Sequence, residues 1–180
     1  MNRDQSFWDY FYMDVALMVS NLSRDQYMKV GTIIVKNKNI ISFSYNGTAE
    51  GTDNKMRNEE GKTLPTVFHA ETNAIGKLVA AGTPTIGATL YCTHSPCVHC
   101  AKAIYQAQIR RVVFLHYHDE GEGAKMLSDL GIEVKRITDG NTSGTPSASR
   151  ERLLAVSTKF KELINPTSWR FEWSHKDTYS

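Results

Sequence analysis

Three soft metal ligands and one carboxylate fall in two short clusters, His69-Ala70-Glu71 and Pro96-Cys97-Val98-His99-Cys100, each heading a stretch that reads as a helix. His69 precedes Ala-Glu-Thr-Asn-Ala-Ile-Gly-Lys-Leu-Val-Ala-Ala, a run of helix formers that stops at Gly82. Pro96 suits the first helical position, where its missing N–H costs nothing, and the helix continues through Ala101, Ile104 and Ala107. Cys97 and Cys100 are three residues apart and so share one face of the first turn. Any fold of this chain has to serve those two helix N-termini.

Helix N-termini carry partial positive charge and unpaired N–H groups, which favour a thiolate over a thiol. One imidazole and two thiolates fill three of the four tetrahedral positions of zinc and leave the fourth for water. Water held there loses a proton near neutral pH and becomes a nucleophile. Glu71, two residues from His69, is placed to take that proton and pass it to a leaving amine. A redox pair would also read Cys-x-x-Cys, but it has no need of His-x-Glu upstream. A closed structural zinc site needs a fourth ligand. Cys92 is the spare thiol, and it lies in the apolar run Ala88-Thr89-Leu90-Tyr91-Cys92-Thr93, where it reads as a small buried side chain. His94 and His99 have no ligand-pair spacing to His69.

Composition narrows the class further. At 180 residues the chain is long enough for one domain with a sizeable core, and 41% hydrophobic with 22% charged residues argues against disorder or a membrane span. Met1-Asn2-Arg3-Asp4-Gln5-Ser6 lacks the apolar stretch of a secretory leader. Three cysteines, two of them assigned to metal, make no disulfide framework, so a reducing cytoplasm is expected (the host's, for a virus-encoded chain). Net charge is +2 with no basic block beyond Arg110-Arg111, which suits a small anionic ligand better than a stable nucleic-acid partner.

Taken in order, residues 6–22 predict an amphipathic helix, with Trp8, Tyr12, Val15, Val19 and Leu22 on one stripe. Residues 30–36 and 39–45 predict two strands turning at Lys38-Asn39 and pairing antiparallel, because so short a link permits nothing else. Asn46-Gly47 ends the second strand, and residues 48–65 read as a long polar surface loop of the kind that forms lids or binding loops. After the His69 helix come a strand at 88–93, the Cys97 helix, a strand at 109–116, a helix at 122–130 capped by Gly131, and a strand at 132–137. Two strand–helix–strand units imply right-handed parallel crossovers. The expected fold is α/β: three layers, α/β/α, around a five-stranded mixed sheet made of an antiparallel hairpin plus parallel strands. The metal is expected at the carboxyl edge of that sheet. Residues 1–138 form the expected domain and 139–149 a flexible linker. Residues 150–164 predict a last helix, and an aromatic tail through Trp169, Phe171 and Trp173 is expected to pack on the same domain or on a neighbouring subunit.

His-x-Glu followed by Pro-Cys-x-x-Cys is the signature of the zinc nucleobase deaminases. Over residues 23–137 the chain resembles the deoxycytidylate (dCMP) deaminases within the cytidine deaminase superfamily. The resemblance rests on Val30-Gly31, Tyr45-Asn46-Gly47, His69-Ala70-Glu71-Thr72-Asn73-Ala74-Ile75, Ser95-Pro96-Cys97-Val98-His99-Cys100-Ala101-Lys102 and Tyr117-His118-Asp119. It implies a cytidine-deaminase-like fold and hydrolysis of dCMP to dUMP and ammonia, supplying thymidylate synthesis. It implies Zn2+ held by His69, Cys97 and Cys100, with Glu71 as proton shuttle. It further implies that the Ala70 N–H meets the pyrimidine carbonyl, the chain around Ser95 the exocyclic amine, Asn46 the sugar hydroxyl, and Tyr117 the sugar and phosphate. The 5′-phosphate needs a cation, for which Arg24 or Lys29 in the polar connection are the candidates. Many members are homohexamers activated by dCTP with Mg2+ and inhibited by dTTP, which bind near a Gly-Tyr-Asn-Gly loop. The corresponding stretch here is Ser44-Tyr45-Asn46-Gly47-Thr48-Ala49, with Ser44 and Ala49 in place of the usual glycine and proline.

Three other readings share the zinc motif. A deaminase of tRNA or single-stranded nucleic acid would want an electropositive groove that the charge pattern does not supply. A catalytically silent zinc scaffold would have no use for Glu71. A deaminase of another small ring, free cytidine or a pterin-like compound, differs from the dCMP reading only in its pocket.

Overall fold

The structure is a computed structural model that describes residues 4–138; the expected linker, last helix and aromatic tail at 139–180 lie outside the described residues. Helix α1 (Gln5–Ser20) starts where Asp4 accepts the Phe7 N–H at 2.9 Å, an N-cap that satisfies one of the otherwise unpaired amides of its first turn. The hairpin β1 (Gly31–Lys36) and β2 (Asn39–Tyr45) turns at Asn37-Lys38, not at Lys38-Asn39 as expected. Both turn residues have positive φ (50° and 62°), the two-residue geometry that matches strand twist. A bulge between Ile34 and Val35 then shifts the register.

Helix α2 (Ala70–Ala80), β3 (Thr89–His94), α3 (Val98–Gln106), β4 (Arg111–His116), α4 (Glu122–Asp129) and β5 (Glu133–Arg136) complete the described chain. Helix α3 begins one residue after Cys97, so Pro96 sits before the cap and not at the first helical position as expected. The expected five-stranded mixed sheet is present in the order β2-β1-β3-β4-β5: β1 is antiparallel to β2 and β3, and β3, β4 and β5 run parallel.

Alternation along the strands divides the core in two. Ile33, Val35, Tyr91, Val113 and Leu115 face α1 through Tyr12, Met13, Ala16 and Val19. Ile34, Leu90, Cys92 and Val112 face the opposite way, against Ala74, Ile75 and Leu78 of α2, Ala101 and Ile104 of α3, and Leu127 of α4. Helix α1 approaches β1 so closely that a Cβ on Gly31 would lie 2.1 Å from the Ala16 carbonyl oxygen. Among the described residues no helix is long and apolar enough to cross a membrane.

Candidate active site

Parallel strands β3 and β4 end side by side at His94 and His116, and the chain leaves each toward a helix. Ser95 ties the two exits together. Its N–H donates to the His116 carbonyl at 2.8 Å, and its hydroxyl accepts the His118 N–H at 2.8 Å. Gly123, in the first turn of α4, lies so close to the Pro96-Cys97 backbone that a Cβ there would stand 2.1 Å from the Pro96 carbonyl oxygen. On the other side, Gly47 and Phe68 exchange backbone hydrogen bonds of 3.1 and 2.8 Å and fix the chain just ahead of His69.

These supports bring two helix caps together. His69 is the N-cap of α2 and Cys97 the N-cap of α3, both with extended backbone and no side-chain capping bond, so their side chains remain available. His69 Nδ1 lies 3.6 Å from Cys97 Sγ and 3.4 Å from Cys100 Sγ. Zinc bonds of about 2.3 Å to sulfur and about 2.05 Å to nitrogen, at tetrahedral angles, require a nitrogen–sulfur edge of about 3.6 Å. The donor set fits zinc. Its ionisation points the same way. The hydrogen bond from Cys100 and the contact with His69 hold Cys97 far below the thiol range, while the same Cys97 neighbour and burial push Cys100 up. A cation held between them would keep both sulfurs as thiolates. No disulfide competes, since all three cysteines are free.

Glu71 is the second residue of α2 and only 4% exposed. Burial lifts its carboxyl to about 7, and no lysine or arginine among the described residues pairs with it. Cationic charge in the adjacent donor set would draw it back toward the carboxylate. A group so placed both takes up and releases a proton near neutrality.

His69, Cys97 and Glu71 line a cavity of about 490 Å³, mouth included, whose wall also contains Ala70, Ser95 and Asn46. Cys100 is buried and off that wall. Asn46 is largely committed to structure: its amide donates to the Met28 carbonyl at 2.9 Å and accepts the Val30 N–H at 2.9 Å, pinning the α1–β1 connection. Tyr45 and Gly47 flank it away from the cavity wall. Tyr117 is exposed, stacked under the Arg136 guanidinium at 4.6 Å and off the wall. Arg24 and Lys29 are exposed and also off it.

Four polar wall residues carry no site role in the sequence reading: Asp25 and Arg57, His94, which lacks a ligand-pair spacing to His69, and His118, which entered only within Tyr117-His118-Asp119. The two histidines are adjacent to the recognised motifs and were open to notice. Asp25 and Arg57 are 32 residues apart with no shared pattern, and only the fold joins them. Burial, then the nearby His116 and His118, hold His94 down at about 4, so its ring is neutral. Thr93 Oγ1 accepts the Gly31 N–H at 3.1 Å and lies 3.1 Å from His94 Nδ1.

Residues 6–116 match the family described as the cytidine and deoxycytidylate deaminase zinc-binding region. The chain is 35% identical to deoxycytidylate deaminase of Mus musculus over 144 residues, covering 73% of this chain and 80% of the mouse enzyme. It is 31% identical to that of Schizosaccharomyces pombe over 149 residues, 75% of this chain but 45% of the yeast enzyme, so it spans about half of that longer relative. Among solved structures, dCMP deaminase of the cyanophage S-TIM5 in complex with dCMP and dUMP superposes with a TM-score of 0.71 at 36% identity, covering 76% of this chain and 100% of the phage chain. With the family match covering more than half of its length and the donor set where that family's motif requires it, the chain belongs to the cytidine and deoxycytidylate deaminase family.

Proposed function

We propose that this protein hydrolyses dCMP to dUMP and ammonia. The observation that carries the reading is Glu71: a buried carboxyl without a cationic side-chain partner, beside a donor set that fits zinc, on the wall of an open cavity. Zinc held by His69, Cys97 and Cys100 would supply the Lewis acidity that makes water nucleophilic at neutral pH. Glu71 accepts a proton from the incoming water and delivers it to the pyrimidine ring nitrogen. It then takes the proton of the hydroxyl added at the ring carbon and passes it to the amine, which leaves as ammonia as the carbonyl forms. The atoms balance with water as the only co-reactant. The Ala70 N–H, one of the amides a helix start leaves without an internal partner, receives the ring carbonyl. The chain at Ser95 faces the amine, and the remaining hydrogen-bonding capacity of Asn46 serves the sugar.

The same reading makes dUMP a supply for thymidylate synthesis and the protein a homohexamer in a reducing, cytoplasmic compartment. It also makes dCTP with Mg2+ an activator and dTTP an inhibitor acting near Tyr45-Asn46-Gly47. The test is ammonia release from dCMP, CMP, deoxycytidine and a cytosine-containing oligonucleotide, each with and without dCTP–Mg2+, with Glu71→Ala as control. Turnover of dCMP, lost in the variant, supports the assignment. Turnover of the oligonucleotide with none of dCMP overturns the substrate. Hyperbolic kinetics that neither dCTP nor dTTP alters overturn the regulation alone.

A further inference from the structure

The stretch 48–65 reads as a long polar surface loop, and part of it is hydrogen-bonded into a short arm. Leu64 N–H donates to the Met56 carbonyl and Asn58 N–H to the Lys62 carbonyl, both at 2.9 Å, and Arg57 pairs with Thr63 as an isolated antiparallel bridge. Met56 is buried and anchors this short arm. Arg57 projects from it into the cavity wall, where it is the one lysine or arginine among the described residues that contributes.

Its setting is specific. Arg57 Nε and Nη2 donate to the two carboxylate oxygens of Asp25 at 3.0 and 2.9 Å, Nη1 donates to the Gly61 carbonyl at 2.8 Å, and Tyr27 lies 4.8 Å from the guanidinium carbon. Asp25 is in turn fixed by the Tyr27 and Met28 N–H groups at 2.8 and 3.2 Å. The side chain of Asp25 is 1% exposed and that of Arg57 21%. The pair is therefore oriented: its negative end is sealed in the wall, and its positive end remains partly open. A guanidinium has five N–H donors, and three are used, so two are left for a ligand. Rigid, planar and held on three sides, this is the arrangement that recognises a phosphate by paired hydrogen bonds.

We propose that Arg57 recognises the 5′-phosphate of the nucleotide and that Asp25 is the residue that positions it. This rests on the reading that the substrate is a nucleoside 5′-monophosphate. It replaces Arg24 and Lys29, both exposed and off the cavity wall, as the phosphate's partner.

The test uses zinc-loaded protein and reads phosphate preference: the ratio of kcat/KM for dCMP over deoxycytidine, and the ratio of calorimetric affinities for dUMP over deoxyuridine. Zinc content and thermal melting are followed throughout. Arg57→Gln collapses both ratios by about 100-fold, the loss expected when one partner of a desolvated charge pair is removed. Arg57→Lys recovers part of it, because the charge survives and the planar fork does not. Asp25→Asn lowers the dUMP ratio by about 10-fold, since the guanidinium loses its second anchor. An Arg57→Gln protein that loses dUMP and deoxyuridine equally has lost only a strut of the wall, and the proposal fails; it fails also if Arg24→Gln produces the loss of preference in its place. A wild-type protein that neither releases ammonia from dCMP nor binds dUMP would sink the substrate reading instead, so the two failures are distinguishable.

Discussion

Two carboxylates are buried on opposite faces of the sheet, and they have opposite fates. Asp9, on α1, is fully buried. Glu71, on α2, is nearly so. Burial raises both. At Asp9, donors outweigh it: Arg111 Nη1 and Nη2 reach the two oxygens at 2.7 and 2.9 Å, and Lys135 Nζ, Gln5 Nε2 and the Tyr91 hydroxyl add bonds of 3.0, 3.0 and 3.1 Å. Together they hold the carboxyl at about 2, below its ordinary value of 3.8. At Glu71 no such cations arrive, and burial prevails. The contrast teaches that position in the core does not set a carboxyl's role; its neighbours do. Five donors make Asp9 a strut that cannot release its charge, and their absence leaves Glu71 able to carry a proton.

The comparison breaks most visibly at Glu71. Glu71→Gln keeps the shape and removes the proposed proton carrier, so ammonia release from dCMP should fall by roughly 10⁴-fold, the upper end of acid–base contributions. Stability should hold or rise, because a buried carboxyl with no lysine or arginine partner has been replaced by a neutral amide of the same shape. Measuring turnover and the urea midpoint on one preparation checks both. Asp9→Asn should do the reverse. It leaves Arg111 without its bidentate partner and should cost about 3–5 kcal/mol in urea unfolding, while kcat/KM of the folded protein stays within about 2-fold. Equal loss of activity and stability in either variant would erase the distinction drawn between the faces.

Acid offers a milder version of the Asp9 experiment. A carboxyl whose folded value is depressed contributes stability that is fully present above its unfolded value and is lost as pH falls through the folded one. For Asp9 the window runs from about pH 4 down to about pH 2. Roughly 2 kcal/mol should disappear across it in the wild type and not in Asp9→Asn. Urea midpoints of the two proteins at intervals through that range would show it; parallel curves would mean that Asp9 is not what titrates.

How legible each face was follows from how far apart its partners lie in the chain. The face of the candidate site was legible because its donor residues sit in two compact motifs, each with helix-start chemistry in the same few residues. The hairpin, the parallel crossovers and the α1 stripe were legible for the same reason: turn residues and periodicity are local. The Asp9 cluster was not, since Arg111 and Lys135 are 102 and 126 residues away, and a lone aspartate in an amphipathic helix carries no mark of a partner. Arg57 was hidden within a polar stretch whose composition matches any solvated loop. The one-residue errors at the hairpin turn and at Pro96 have a common cause. Asn37 and Lys38 both adopt positive φ, and Cys97 serves as a cap although it is not a usual capping residue; in both places tertiary context overrides the local preference.

Two glycines give the finest comparison, because each carries one face of the sheet at the closest approach the backbone allows. A Cβ on Gly31 would meet the Ala16 carbonyl oxygen at 2.1 Å, on the Asp9 side, and a Cβ on Gly123 would meet the Pro96 carbonyl oxygen at 2.1 Å, on the metal side. Backbone on both sides of these contacts leaves no flexible side chain to give way. Alanine at either position should therefore destabilise by about 1–3 kcal/mol. The consequences for zinc should differ. Gly31→Ala pushes α1 away from β1, and α1 carries no ligand. Gly123→Ala pushes the Pro96-Cys97 turn, so Cys97 Sγ leaves its 3.6 Å spacing to His69, and zinc affinity should fall by about 10-fold, the size of effect seen when support behind a metal ligand is disturbed. Competition with a chromophoric chelator, at a temperature where both variants are folded, measures this directly. A Gly123→Ala protein that holds zinc as tightly as Gly31→Ala would show that the metal turn does not depend on the packing of α4 for its position.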